Sequence, residues 1–171
     1  MANFKIALSK TLKFEGGYVN DPVDKGQETF KGVSRKNWPK WPGWIYVDNK
    51  DFTNPVLQDL VETFYKDNFW SNLKLDNFGQ EISNFVFDTA VNQGSKSAAI
   101  LLQTAISEFN IPITVDGEIG LATIKAYKSV DSEVLLLYTL KSLRTKVYIK
   151  ICENNINQKK YFFGWLKRVF S

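Results

Sequence analysis

The sequence predicts a mainly helical fold, with a small lobe of loops and short strands inserted after the first helix. Apolar residues recur at helical spacing over residues 2–14 and again from residue 53 onward. Between them, residues 18–52 collect turn formers (Asn20-Asp21-Pro22, Lys25-Gly26, Pro39, Pro42-Gly43) that a long helix would not contain. No internal repeat or low-complexity linker divides the 171 residues, and 44% hydrophobic with 15% aromatic content supplies a substantial core.

Phe4, Leu8 and Leu12 fall four apart, with Ala7 and Phe14 beside the stripe, which gives the first helix; Gly16-Gly17 ends it. Two or three short strands are expected in the lobe. Trp38, Trp41 and Trp44 cross two prolines there and either pack the lobe or line a cleft. Thr53-Asn54-Pro55 then caps a helix whose apolar face is Val56, Leu60, Val61, Phe64 and Tyr65. Further helices are expected over 80–93, stopped by Gly94, and over 96–109, capped by Ser95. A shorter one, with glycines at its start, is expected over 116–129, a long one over 132–153 and a last short one over 161–170. The apolar run around Val134–Leu140 reads as a buried helix.

Absences narrow the chemistry. There is no His, which removes Ser-His-Asp triads, Cys-His dyads and His-ligated zinc. The single Cys152 reads as a core thiol, without a disulfide partner in the chain. Hydrolysis would have to use carboxylates, hydroxyls, amides and water. No metal is expected, because no loop gathers the oxygen ligands a calcium site needs. No cofactor is expected either.

Lys5, Lys10 and Lys13 interrupt the N-terminal stretch, so no signal peptide is expected, and no apolar run of about 18 residues predicts membrane insertion. The expectation is synthesis in the cytoplasm and delivery by some other route. The net charge of +4 is uneven: residues 141–171 carry eight Lys or Arg against one acid. That basic tail suits a polyanion or is simply a solvated face; nothing in it favours nucleic acid.

The segment Glu15–Thr29 holds four carboxylates and a threonine. Cleaving a glycosidic bond requires one protonated carboxylic acid for the leaving oxygen and a second group to handle water or the cationic centre. Glu15, at the end of a helix beside Phe14, is the first candidate for the acid, its proton retained by desolvation. Solvated surface is the competing reading of the cluster.

Three blocks carry a resemblance: Glu15-Gly16-Gly17-Tyr18-Val19-Asn20-Asp21-Pro22, then Gly26-Gln27-Glu28-Thr29-Phe30-Lys31-Gly32-Val33-Ser34, then Phe87-Asp88-Thr89-Ala90-Val91-Asn92-Gln93-Gly94. With Asp116-Gly117-Glu118 and Phe163-Gly164-Trp165-Leu166-Lys167-Arg168-Val169, they resemble glycoside hydrolase family 108 over nearly the full length. Members of that family are N-acetylmuramidases, found as phage endolysins and in bacteria. The resemblance implies a lysozyme-like helical domain, with a catalytic segment over 1–78 and a helical peptidoglycan-binding-like region over 79–171 packed into the same body. It implies peptidoglycan glycan strands as the partner, a monomer, action in the periplasm or cell wall, and Glu15 as proton donor. Gln27 departs from the family, which commonly has a second glycine there.

The second catalytic group is open. Asp24 follows Glu15 by nine residues and Thr29 follows Asp24 by five, close to the spacing of inverting phage lysozymes, in which Asp and Thr hold the water. Asp24 ranks first, Glu28 next, and Asp21 last because Asn-Asp-Pro reads as a turn. Tyr18, Asn20 and Glu28 either bind sugar or brace the hairpin. Asn92 and Gln93 either contact sugar or finish their helix. Asp88 is either a buried structural acid or a cleft residue.

Overall fold

The computed structural model describes residues 1–20 and 28–171. Helix α1, Phe4–Leu12, is capped by Asn3, whose side chain accepts from the Lys5 amide at 2.9 Å. Past its end the amides of Phe14 and Glu15 bond back to the carbonyls of Thr11 and Leu12, so Glu15 sits in the turn that closes the helix.

The lobe is a three-stranded antiparallel sheet, β1 Tyr18–Asn20, β2 Glu28–Phe30 and β3 Val33–Ser34. Tyr18 pairs with Phe30, Val19 with Thr29 and Asn20 with Glu28. Lys31 and Gly32 join β2 to β3 with φ of 45° and 81°, the double left-handed geometry of a tight hairpin turn. Stacked rings of Tyr18, Phe52 and Phe30 and the buried Trp41 and Trp44 fill the lobe. Trp38 stays exposed, edge-on to Phe64 at 4.9 Å. Two of the three tryptophans are therefore packing residues.

Helix α2, Trp44–Asp48, precedes α3, Pro55–Tyr65, which Asn54 caps by accepting from Val56. A π-helical turn, Lys66–Ser71, prolongs α3 and buries Trp70 against Phe4 and Phe87. Helix α4, Gln80–Gln93, packs against α1, α5 and α7 and is buried on most of its faces, as a central helix should be. The rest of the body is α5 Ser95–Ser107, α6 Leu121–Lys128, α7 Glu133–Asn154 and α8 Phe162–Phe170. Cys152 is buried, as expected. The mainly helical, lysozyme-like arrangement with its small sheet after the first helix is the one the sequence led us to expect.

Three local expectations change. Gly94, not Ser95, occupies the N-cap of α5, because the chain turns at φ 90° one residue earlier. Residues 116–120 form a turn before α6 instead of its first coil, because the buried Gln103 captures their polar groups. Its Nε2 donates to Asp116 Oδ1 at 2.7 Å and its Oε1 accepts from the Gly117 amide at 2.8 Å. The Val134–Leu140 run is only half buried: Leu136 and Leu140 face the core, while Val134, Leu135 and Tyr138 are exposed. Among the described residues, no helix is long and apolar enough to cross a membrane.

Candidate active site

Glu15 lies where three elements meet. Its backbone belongs to the turn after α1, its Oε1 accepts from Nη2 of Arg168 on α8 at 2.9 Å, and its Oε2 lies against the Lys31-Gly32 turn. A side chain at Gly32 would drive its Cβ into the Tyr65 hydroxyl and to 2.9 Å from Glu15 Oε2, so only glycine fits. Glu15 keeps 20% of its side chain exposed, which leaves the acid accessible from solvent.

The surroundings expected for this acid are different in one respect. Phe14 is exposed, and the Arg168 guanidinium sits 5.4 Å from its ring centre. A guanidinium therefore faces the carboxylate where an apolar wall was expected.

Behind Glu15, charges alternate through the core. Arg168 Nε donates to both Asp88 oxygens at 2.9 and 3.1 Å, and Arg144 Nη1 donates to Asp88 Oδ2 at 2.7 Å. Arg144 is fully buried; its Nε donates to the Tyr148 hydroxyl at 3.1 Å, which in turn donates to Asn92 Oδ1 at 2.9 Å. Burial opposes the Arg168 charge, but Asp88 and then Glu15 outweigh it and hold the guanidinium above its ordinary value. Two cations and two anions thus neutralise one another, the condition for burying them at all. Asp88 is hydrogen-bonded to both arginines and also lines a small cavity with Phe14 and Arg168.

Tyr65 completes the rear of the site. Its hydroxyl donates to the Lys31 carbonyl at 2.7 Å. Burial, then the neighbouring Glu15 charge, push it well above its ordinary value against the opposite pull of Arg168. Tyr65 therefore stays protonated and pins the turn that touches Glu15.

On the hairpin, Tyr18 donates to Glu28 Oε1 at 3.0 Å and accepts from Asn20 at 3.4 Å. Glu28 also pairs with Arg35, which pairs with Asp48 and lies 4.3 Å over the Trp44 ring. These contacts brace the lobe. Thr29, opposite Val19 and Ser34, projects from the other face of the sheet, because successive strand residues alternate. Asp24, Asp21 and Gln27 lie outside the described residues. Asn92 is exposed at the end of α4 and holds Tyr148, whereas the Nε2 of Gln93 is buried without a hydrogen-bond partner among the described residues.

Gly32 and Arg168 lie in the motifs quoted above and Tyr65 on the apolar face of α3, but none of them, nor Arg144, was given a role at the site from sequence. One signal was available: the chain has only three arginines among 22 basic residues, Arg35, Arg144 and Arg168. Each proves to be ion-paired with a carboxylate. Arginine's planar fork suits such sites better than lysine's point charge.

The Glycosyl hydrolase 108 family model matches residues 8–94, and the Predicted Peptidoglycan domain model matches residues 97–170. Glu15, Gly32, Tyr65 and Asp88 fall in the first range, Arg144 and Arg168 in the second, so the network around the acid spans both. The structure of Brucella abortus SagA aligns with 97% of this chain and 88% of its own, at a TM-score of 0.71 and 22% identity, and so shares the fold. Among the curated proteins, none matches this chain significantly.

Proposed function

Since the chain belongs to the glycosyl hydrolase 108 family, we propose that it is an N-acetylmuramidase with Glu15 as its proton donor. The two matched domains make it a peptidoglycan hydrolase that acts at the cell wall. The finer reading is cleavage between N-acetylmuramic acid and N-acetylglucosamine, in the service of a phage or prophage endolysin.

The observation that carries this reading is the placement of Glu15. It is a carboxyl group reachable from solvent, held by Arg168 and packed against a turn that admits no side chain. In that setting Glu15 would protonate the glycosidic oxygen, and Arg168 would pair with the carboxylate left behind. Asp24 and Thr29 are proposed to hold the attacking water on the opposite face of the sugar, which gives inversion. Domain limits of 1–78 and 79–171, and a monomeric state, remain part of the same proposal.

The test is digestion of purified wall followed by analysis of the new reducing ends. N-acetylmuramic acid at those ends is expected; N-acetylglucosamine would make the protein a glucosaminidase. Wall binding without any released sugar would make it a non-catalytic binding module.

A further inference from the structure

Helix α7 carries two apolar faces. Leu136, Leu140, Arg144, Tyr148 and Cys152, spaced in fours, enter the core. On its other side Leu143 and Val147 meet Ile100 and Leu101 of α5 along an open groove, where Val147 and Ile100 are each more than a third exposed. Two cavities of about 580 and 450 Å³ share Leu143 and Lys146, and so form one trough. Its α7 wall runs from Leu135 to Glu153. At 1.5 Å per residue that is about 27 Å, room for roughly eight residues of extended chain.

Charge is ordered along this trough. Lys146 and Lys150, one helical turn apart, stand on its wall, and neither is ion-paired with a carboxylate among the described residues. Glu153 lines one end and Glu108 the other.

We propose that this α5–α7 groove binds the stem peptide of peptidoglycan. The inference rests on the peptidoglycan reading above and adds where, and which part of, the polymer is held. A stem peptide is short and extended, with alanine methyls, free carboxylates and, in many walls, a diamino acid. The methyls lie on the Ile100–Val147 floor, and the carboxylates meet Lys146 and Lys150. A terminal ammonium meets a glutamate at the end of the trough. A neutral glycan would leave the lysines without a use, whereas an anionic peptide engages both.

The probe is the synthetic tripeptide N-acetyl-L-alanyl-γ-D-glutamyl-L-lysine, titrated into ¹⁵N-labelled full-length protein, with chitotetraose as the peptide-free control. Saturable amide shifts centred on Ile100 and Val147 are expected with the tripeptide and not with chitotetraose. The double variant Lys146→Glu/Lys150→Glu should bind the tripeptide at least tenfold more weakly, yet release reducing ends from peptide-stripped wall glycan at the wild-type rate. No shifts on α5 and α7, or equal affinity in the double variant, would overturn the assignment. So would a concentration-dependent dimer, seen by sedimentation and abolished by Val147→Asp, which would make the groove a contact between copies of the chain. Failure of the wild-type protein to release reducing ends would count against the muramidase reading alone, because the titration does not depend on hydrolysis.

Discussion

Arg168 and Glu15 stand 153 positions apart, yet the guanidinium of one donates to the carboxylate of the other at 2.9 Å. The last helix therefore sets the orientation of a side chain in the turn that closes the first. Substitutions in the peptidoglycan domain should consequently be felt at Glu15.

Glu15→Gln separates catalysis from folding. The amide keeps an oxygen for Arg168 to bond, so the unfolding midpoint should stay within about 3 °C of wild type. It has no proton of suitable acidity to give, so clearing of purified wall should fall about 100-fold or more. Activity within tenfold of wild type would move the acid role to another residue.

Asp88 is the anion that both Arg168 and Arg144 share, and its side chain is only 13% exposed. Asp88→Ala leaves two buried guanidiniums short of a partner, which should destabilise the protein by about 3–5 kcal/mol in urea unfolding. Because the two residues act as one unit, Asp88→Ala and Arg168→Ala should cost less together than the sum of the single changes. Additive costs would show that the ion pairs are energetically independent.

The fold was legible where local rules suffice. Four-residue apolar spacing placed α1, Asn54-Pro55 marked the start of α3, and Asp131-Ser132 the start of α7, where Ser132 accepts from the Leu135 amide. Glu15 could be chosen as the candidate acid because its motif is contiguous. Its partners were not, because Gly32, Tyr65 and Arg168 reach it only through tertiary packing. The turn at 116–120 was misread as helix for the same kind of reason: its hydrogen bonds go to Gln103, a residue on another element. The half-exposed Val134–Leu140 run misled because apolar content was read as burial, whereas α7 turns one apolar face outward.

Gly32→Ala tests the close approach at the back of the site. The new methyl would meet the Tyr65 hydroxyl and Glu15 Oε2, in a backbone at φ 81° that alanine adopts poorly. A stability loss of about 1–3 kcal/mol is expected, with a fall in kcat larger than any change in KM, since the displaced group is the proposed proton donor. Unchanged kcat in a folded variant would mean that the turn does not position the acid.

Alkaline titration should expose Tyr65 and Tyr127. Burial, then the hydrogen bond to Glu133, push the Tyr127 hydroxyl from its ordinary 10.0 up to about 12, and Tyr65 is also raised by burial and by Glu15. A folded-state value above the unfolded one means that the unfolded chain loses its phenolic protons first. The stabilisation is therefore complete below pH 10 and is lost as pH rises through the folded values. Denaturation midpoints should be level from pH 7 to 9 and fall steeply above 10. Tyr65→Phe, though weaker at neutral pH for want of its bond to Lys31, should show a slope shallower by up to about 1.4 kcal/mol per pH unit. Equal slopes in the two proteins would mean that Tyr65 ionises alike in the folded and unfolded chains, and that its hydroxyl is not enclosed beside Glu15.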